Sequence, residues 1–158
     1  MVDTGEKDTG SRAATADSSE SSPGVARAVA RVLVIEEERS LLAKVVGTLE
    51  GSGLDVFACA NVLAARKACR QHRFDLWVLD WVVEGLFADE LITVLRTEVQ
   101  PRPLPPVIVL SRLNEEDTRA CLRPDAPIHS VLTRPVDSRR MVETSARILD
   151  RSLTWAAY

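Results

Sequence analysis

Five short strand-like runs, separated by segments of helical periodicity, restrict the fold of this chain more than any other feature. They are Val32–Ile35, Leu54–Ala58, Leu76–Leu79, Val107–Leu110 and Ser130–Thr133. Val32–Ile35 and Val107–Leu110 are apolar without alternation, the mark of strands buried on both faces. After the first run, Leu41, Leu42, Val45, Val46 and Leu49 recur at helical spacing, and Gly51 and Gly53 stop that helix. Asn61 suits the N-cap of a second helix through Ala65, Ala68 and Cys69. Leu91, Ile92, Leu95 and Val99 mark a third. The acids Glu115, Glu116 and Asp117 suit the first turn of a short fourth, where the helix dipole favours negative charge. Asp137 caps a fifth, which carries Met141, Val142, Ala146, Leu149 and Leu153. Pro101, Pro103, Pro105 and Pro106 cannot be helical and form a stiff link into the fourth strand. Such alternation predicts an α/β domain, a doubly wound five-stranded parallel sheet with helices on both faces.

At 158 residues the chain has room for one domain with a proper core. The first 24 residues are rich in Ser, Thr, Asp, Glu and Gly, and bury too little to offset their ordering entropy. Residues 1–24 are therefore expected to be a disordered tail, residues 25–153 the folded unit, and residues 154–158 a short C-terminal tail. The net charge of −3 gives no reason to expect nucleic acid or an acidic membrane as a partner. No apolar run approaches the roughly 20 residues of a membrane span, and no secretion signal is evident. Cys59, Cys69 and Cys121 are scattered and read as reduced, mostly packing cysteines, which makes a cytoplasmic location the expectation.

In a parallel sheet of this kind, ligands bind beyond the carboxyl ends of the strands, where the strand order reverses. Those ends carry Glu36 and Glu37, then Asp80, Ser111 and Arg134. Three carboxylates on neighbouring strand ends repel one another and call for a cation, for which Mg²⁺ with oxygen ligands is the natural choice. Asp80 could accept a phosphoryl group as an aspartyl phosphate, a reaction that asks mainly for positioning and charge neutralisation. The Ser111 hydroxyl and the Arg134 guanidinium suit that neutralisation. Asp80 could equally be a structural partner of Arg134, and Ser111 a plain strand-end hydrogen bonder.

Over residues 31–150 the chain resembles the receiver domains of two-component response regulators, which have a flavodoxin-like (βα)5 fold. The resemblance rests on RVLVIEEER at the first strand, DLWVLD at the third, VIVLS at the fourth and VLTRP at the fifth. It implies that Asp80 is the phosphate acceptor and that Glu36, Glu37, Asp80 and the Val82 backbone carbonyl hold Mg²⁺. It also implies that Ser111 and Arg134 bind the phosphoryl group, with a cis peptide expected at Pro135. Leu91 and Leu95-Arg96 match leucine positions of the family's third helix. The family has aspartates where Glu36 and Glu37 stand and lysine where Arg134 stands. Glu84 and Ala88 replace its proline and glycine, and Val131 replaces its aromatic switch residue. Arginine is a planar fork that can lock onto a carboxylate, so Arg134 could pair with Asp80 without any phosphate.

The resemblance implies a stand-alone, non-enzymatic signalling protein of a phosphorelay, its partner a histidine protein kinase or phosphotransfer protein. Nothing after residue 153 is long enough for an output domain. Output is therefore expected through protein contact at the face of the fourth and fifth helices and the fifth strand, which also admits a homodimer. The alternative is a pseudo-receiver, an interaction module that works without phosphorylation. A phosphohydrolase with an Asp-x-Asp nucleophile is set aside, because Asp80-Trp81-Val82 lacks the second aspartate. His72 reads as a surface or helix C-terminal dipole residue, His129 as structural, Trp77 as core and Trp81 as partly exposed beside the site. Glu38 reads as a helix-start residue. Arg139, Arg140, Arg147 and Arg151 form a basic helix face that is ordinarily just solvated.

Overall fold

The structure, a computed structural model, describes residues 29–149. The tails expected at residues 1–24 and 154–158, and Arg151 and Leu153 of the last predicted helix, lie outside the described residues. In chain order the first elements are β1 (Arg31–Ile35), α1 (Arg39–Gly51), β2 (Asp55–Cys59), α2 (Val62–Gln71) and β3 (Leu76–Asp80). Then come β4 (Val82–Val83), β5 (Leu86–Phe87), α3 (Ala88–Val99), β6 (Val107–Ser111), α4 (Glu115–Ala120), β7 (Ser130–Thr133) and α5 (Ser138–Leu149). The main sheet runs β2-β1-β3-β6-β7, with every neighbouring pair parallel. This is the doubly wound parallel sheet that the alternation of runs predicts, in the flavodoxin-like form that the resemblance implies.

Strand side chains alternate between the two faces, so each central strand feeds two cores. On one face Val32, Val34, Val78, Ile108 and Leu110 meet Val45 and Leu49 of α1 and Met141 and Ala146 of α5. On the other, Leu33, Trp77, Leu79 and Val109 meet Ala65 and Cys69 of α2 and Leu91, Ile92 and Leu95 of α3. β3 and β6 are buried along their whole length, which is why their sequences are apolar without alternation. Trp77 is core, as predicted.

Two local differences have physical causes. The second strand starts at Asp55 rather than Leu54, because Leu54 still belongs to the end of α1: its amide donates to the Leu49 carbonyl at 3.2 Å. Gly51 is the last helical residue, and the stop falls on Ser52 and on Gly53, whose φ of 99° needs glycine. The strands β4 and β5 of the hairpin carry no periodic signal, because two-residue strands have no readable period. Its loop is Glu84-Gly85, with φ of 52° and 81°, the left-handed pair of a tight hairpin turn.

The chain order reverses at β1, which lies between β2 and β3. The crevice beyond the carboxyl ends of β1 and β3 is thus the expected site. Among the described residues no helix is long and apolar enough to cross a membrane.

Candidate functional site at the carboxyl ends of the strands

Asp80 closes β3, and Glu36 follows β1 directly; both are buried. Arg134 follows β7, and its backbone amide donates to the Ser111 carbonyl at 2.7 Å, tying it to the end of β6. From there the guanidinium reaches across the site. One nitrogen, Nη2, stands 2.6 Å from Glu36 Oε1 and 2.5 Å from Asp80 Oδ1, and the side chains of all three are at most 12% exposed. The nearest approach of Arg134 to Glu38 is 3.9 Å. The sequence-based pairing of Arg134 with Asp80 is therefore present, and Glu36 shares the same nitrogen.

The second oxygen of Glu36 is committed as well, and Asp80 Oδ1 has a further donor. Glu36 Oε2 accepts from the Glu38 amide at 2.9 Å, and Asp80 Oδ1 also accepts from the Trp81 amide at 2.8 Å. Burial raises the carboxyl pKa of Glu36 above its ordinary value, with the Glu38 amide opposing and the Asp80 charge adding to the rise. Burial likewise raises Asp80, and the Arg134 charge and hydrogen bond offset part of that. In contrast, the buried Nε–H of Arg134 has no hydrogen-bond partner among the described residues. It is an unspent donor inside the site.

Glu37 does not join this group. Its exposed carboxylate accepts the backbone amide of Glu84 in the hairpin turn, while the Glu84 carboxylate caps α2 by accepting from the Val62 amide at 2.9 Å. Val82 lies in β4 opposite Phe87. The expectation of a cation pocket walled by Glu36, Glu37 and Asp80 thus needs correction as to geometry. Among the described residues, no three acidic, His or Cys side chains stand close enough to hold one ion. As arranged, this donor set does not fit Mg²⁺, because a guanidinium sits between the two buried carboxylates and the third faces elsewhere.

Ser111 is fully buried, and its hydroxyl accepts from the Leu113 amide at 3.0 Å and bonds Thr118 Oγ1 at 2.6 Å. Thr118, also fully buried, lies in α4 and returns to the Asn114 carbonyl at 2.7 Å. Val131, in place of an aromatic residue, packs into the core on the α2–α3 face. The Arg134–Pro135 peptide is cis, as expected. His72 ends α2 and stacks on Phe57 at 4.4 Å, and His129 Nδ1 accepts from the Val107 amide at 3.3 Å; both are structural. Trp81 packs on Phe87 at the rim. Glu38 is the N-cap residue of α1, in keeping with its reading as a helix start.

Glu84 and Thr118 are participants that the sequence pattern does not reveal. Gly85 after Glu84 is the one local signal for the hairpin turn. Nothing marks Thr118, which is seven residues after Ser111 and meets it only because α4 folds back.

The family model of the response regulator receiver domain matches residues 32–146. The chain belongs to the response regulator receiver domain family. Receiver domains are generally non-enzymatic signalling modules that interact with histidine kinases or phosphotransfer proteins and typically bind Mg²⁺. The chain is 26% identical over 121 residues to protein PilH of Pseudomonas aeruginosa, covering 77% of this chain and 98% of that protein. It is equally similar to the phosphate regulon transcriptional regulatory protein PhoB of Klebsiella pneumoniae, at 26% over 121 residues and 77% of this chain. There the receiver spans about half of the relative's length, 52%. The chemotaxis response regulator CheY4 of Vibrio cholerae shares the fold, with a TM-score of 0.67, 20% identity, and coverage of 77% of this chain and 99% of that one.

Proposed function

We propose that this receiver domain accepts a phosphoryl group on Asp80 within a two-component phosphorelay and passes the signal on by protein contact. The observation that carries the reading is the placement of Asp80 at the end of the central strand, flanked by Ser111 and Arg134 from the next two strands. An Asp80 oxygen attacks the phosphorus of the donor's phosphohistidine; the P–N bond breaks as the new P–O bond forms. Arg134 has an unpaired Nε–H with which to meet the incoming oxygens, and Ser111 supplies a hydroxyl. Drawing Ser111 towards the phosphoryl group would pull on Thr118 and hence on α4. The output would then lie on the face made by α4, β7 and α5, where a downstream protein or a second copy would dock.

The second reading, a pseudo-receiver that works without phosphorylation, is supported by the Arg134 contact that already neutralises Asp80. One experiment separates them. The full chain is incubated with acetyl phosphate, with Mg²⁺ and separately with EDTA, and examined by intact mass. A gain of about 80 daltons that is absent from Asp80→Asn supports the acceptor reading. No gain under either condition favours the pseudo-receiver.

A further inference from the structure

We infer that Arg134 is the resident cation of this site, occupying by its guanidinium the place that a divalent ion would take between Glu36 and Asp80, so that wild-type protein excludes Mg²⁺. The inference rests on the reading of these strand ends as the receiver's acceptor site and concerns what balances its charge.

The argument is geometric. A bound Mg²⁺ needs oxygens at about 2.0–2.1 Å in an octahedron. The two buried carboxylates that could supply them are bridged by a single nitrogen, at 2.6 Å from Glu36 and 2.5 Å from Asp80. An ion bound to both carboxylates would lie against that nitrogen, and two cations there would repel in a region shielded from water. Glu36 has its second oxygen on the Glu38 amide, and Glu37 is held by the hairpin amide of Glu84. Freeing Glu37 would also release the contact that steadies a non-glycine residue at a positive φ of 52°. Arginine suits this seat better than lysine. Its delocalised charge is less strongly hydrated and spread over several donors, so it tolerates burial between two acids.

The chain itself holds Arg134 there. Its backbone is fixed by the Ser111 carbonyl, and its side chain is 12% exposed. The charge set of two carboxylates and one guanidinium is one unit more negative than neutral. Removing Arg134 would leave two, which a divalent ion can match.

The test is titration of the full chain with MgCl₂, followed by calorimetry and by tryptophan fluorescence, since the Trp81 amide is bonded to Asp80. Wild type is expected to show no saturable binding through millimolar Mg²⁺. Arg134→Met, which keeps the side-chain bulk without the charge, is expected to bind at least about tenfold more tightly. Arg134→Lys, whose compact ammonium is more strongly hydrated and tolerates burial between two acids less well, should gain part of that, and it serves as the readout if Arg134→Met fails to fold by circular dichroism. Submillimolar binding by wild type overturns the inference. So does the absence of binding in the folded variants, which would assign the exclusion to the glutamates instead. Acetyl phosphate labelling reads the acceptor separately: no mass gain alongside Arg134-dependent metal exclusion would sink the acceptor reading and leave this one standing.

Discussion

Arginine–carboxylate pairs stand at both ends of the sheet, and they differ in everything but chemistry. At the amino ends, Arg31 meets Asp55 at 3.2 Å with 42% and 48% of the side chains exposed. At the carboxyl ends, Arg134 meets Asp80 and Glu36 at shorter distances with at most 12% exposed. Water and salt screen the first pair, which by analogy with exposed pairs contributes only about 0.2–1 kcal/mol. The second group is desolvated, so its net worth is small but its parts depend on one another: taking one away strands a buried charge. Identical residue types therefore act as surface decoration at one pole and as a locked charge set at the other.

Breaking the buried set gives the largest expected effect. Arg134→Ala should cost about 3 kcal/mol in urea unfolding at neutral pH, because two raised carboxyls lose their common partner. A loss no greater than that of an exposed-pair variant would end the contrast. Next comes Thr118→Val, expected to cost about 2 kcal/mol by leaving the buried Ser111 hydroxyl short of a partner, while Thr118→Ser keeps most of the stability. A smaller change comes with acid. Burial raises the Glu36 and Asp80 carboxyls, so the folded chain holds protons that the unfolded chain releases. Their contribution to stability thus improves as pH falls from neutrality through the raised values, and levels off below the ordinary carboxylate values. Melting curves of wild type against Asp80→Asn should diverge in favour of wild type on mild acidification; parallel curves would show that burial does not perturb the pair. Last, Arg31→Ala should cost no more than about 0.5 kcal/mol by the same urea assay, and added salt should narrow even that difference.

Much of this molecule can be read from its sequence because strands buried on both faces leave no freedom in composition. Val32–Ile35 and Val107–Leu110 have to be apolar throughout, and Asn61 as a cap is a local signal, realised by its 2.8 Å bond from the Ala64 amide. The strand-end rule then brings Asp80, Ser111 and Arg134 together without any coordinates. What escapes is whatever depends on side-chain direction between distant segments. Glu36 and Glu37 are neighbours in sequence, yet one turns inward to an arginine 98 residues away and the other outward to a hairpin amide 47 residues away. The chain bends just after β1 and sends the two side chains different ways, and no pattern of residue types foretells which partner each finds. Thr118 escapes for a related reason, since a threonine in a short polar helix carries no periodic signal.

Among the described residues β7 is the outer strand on its flank, four residues long and paired on one side only. Such a strand is ordinarily among the first parts of a sheet to open. Arg134, one residue beyond it, ties that margin to β1 across the two intervening strands, a span of about 14 Å at the usual inter-strand spacing. Fraying of the margin therefore has to undo the charged group at the centre. The hydrogen-exchange rates of the β7 amides become a remote gauge of what Asp80 carries: slow while the arginine holds both acids, and altered once a phosphoryl group or a metal claims one of them.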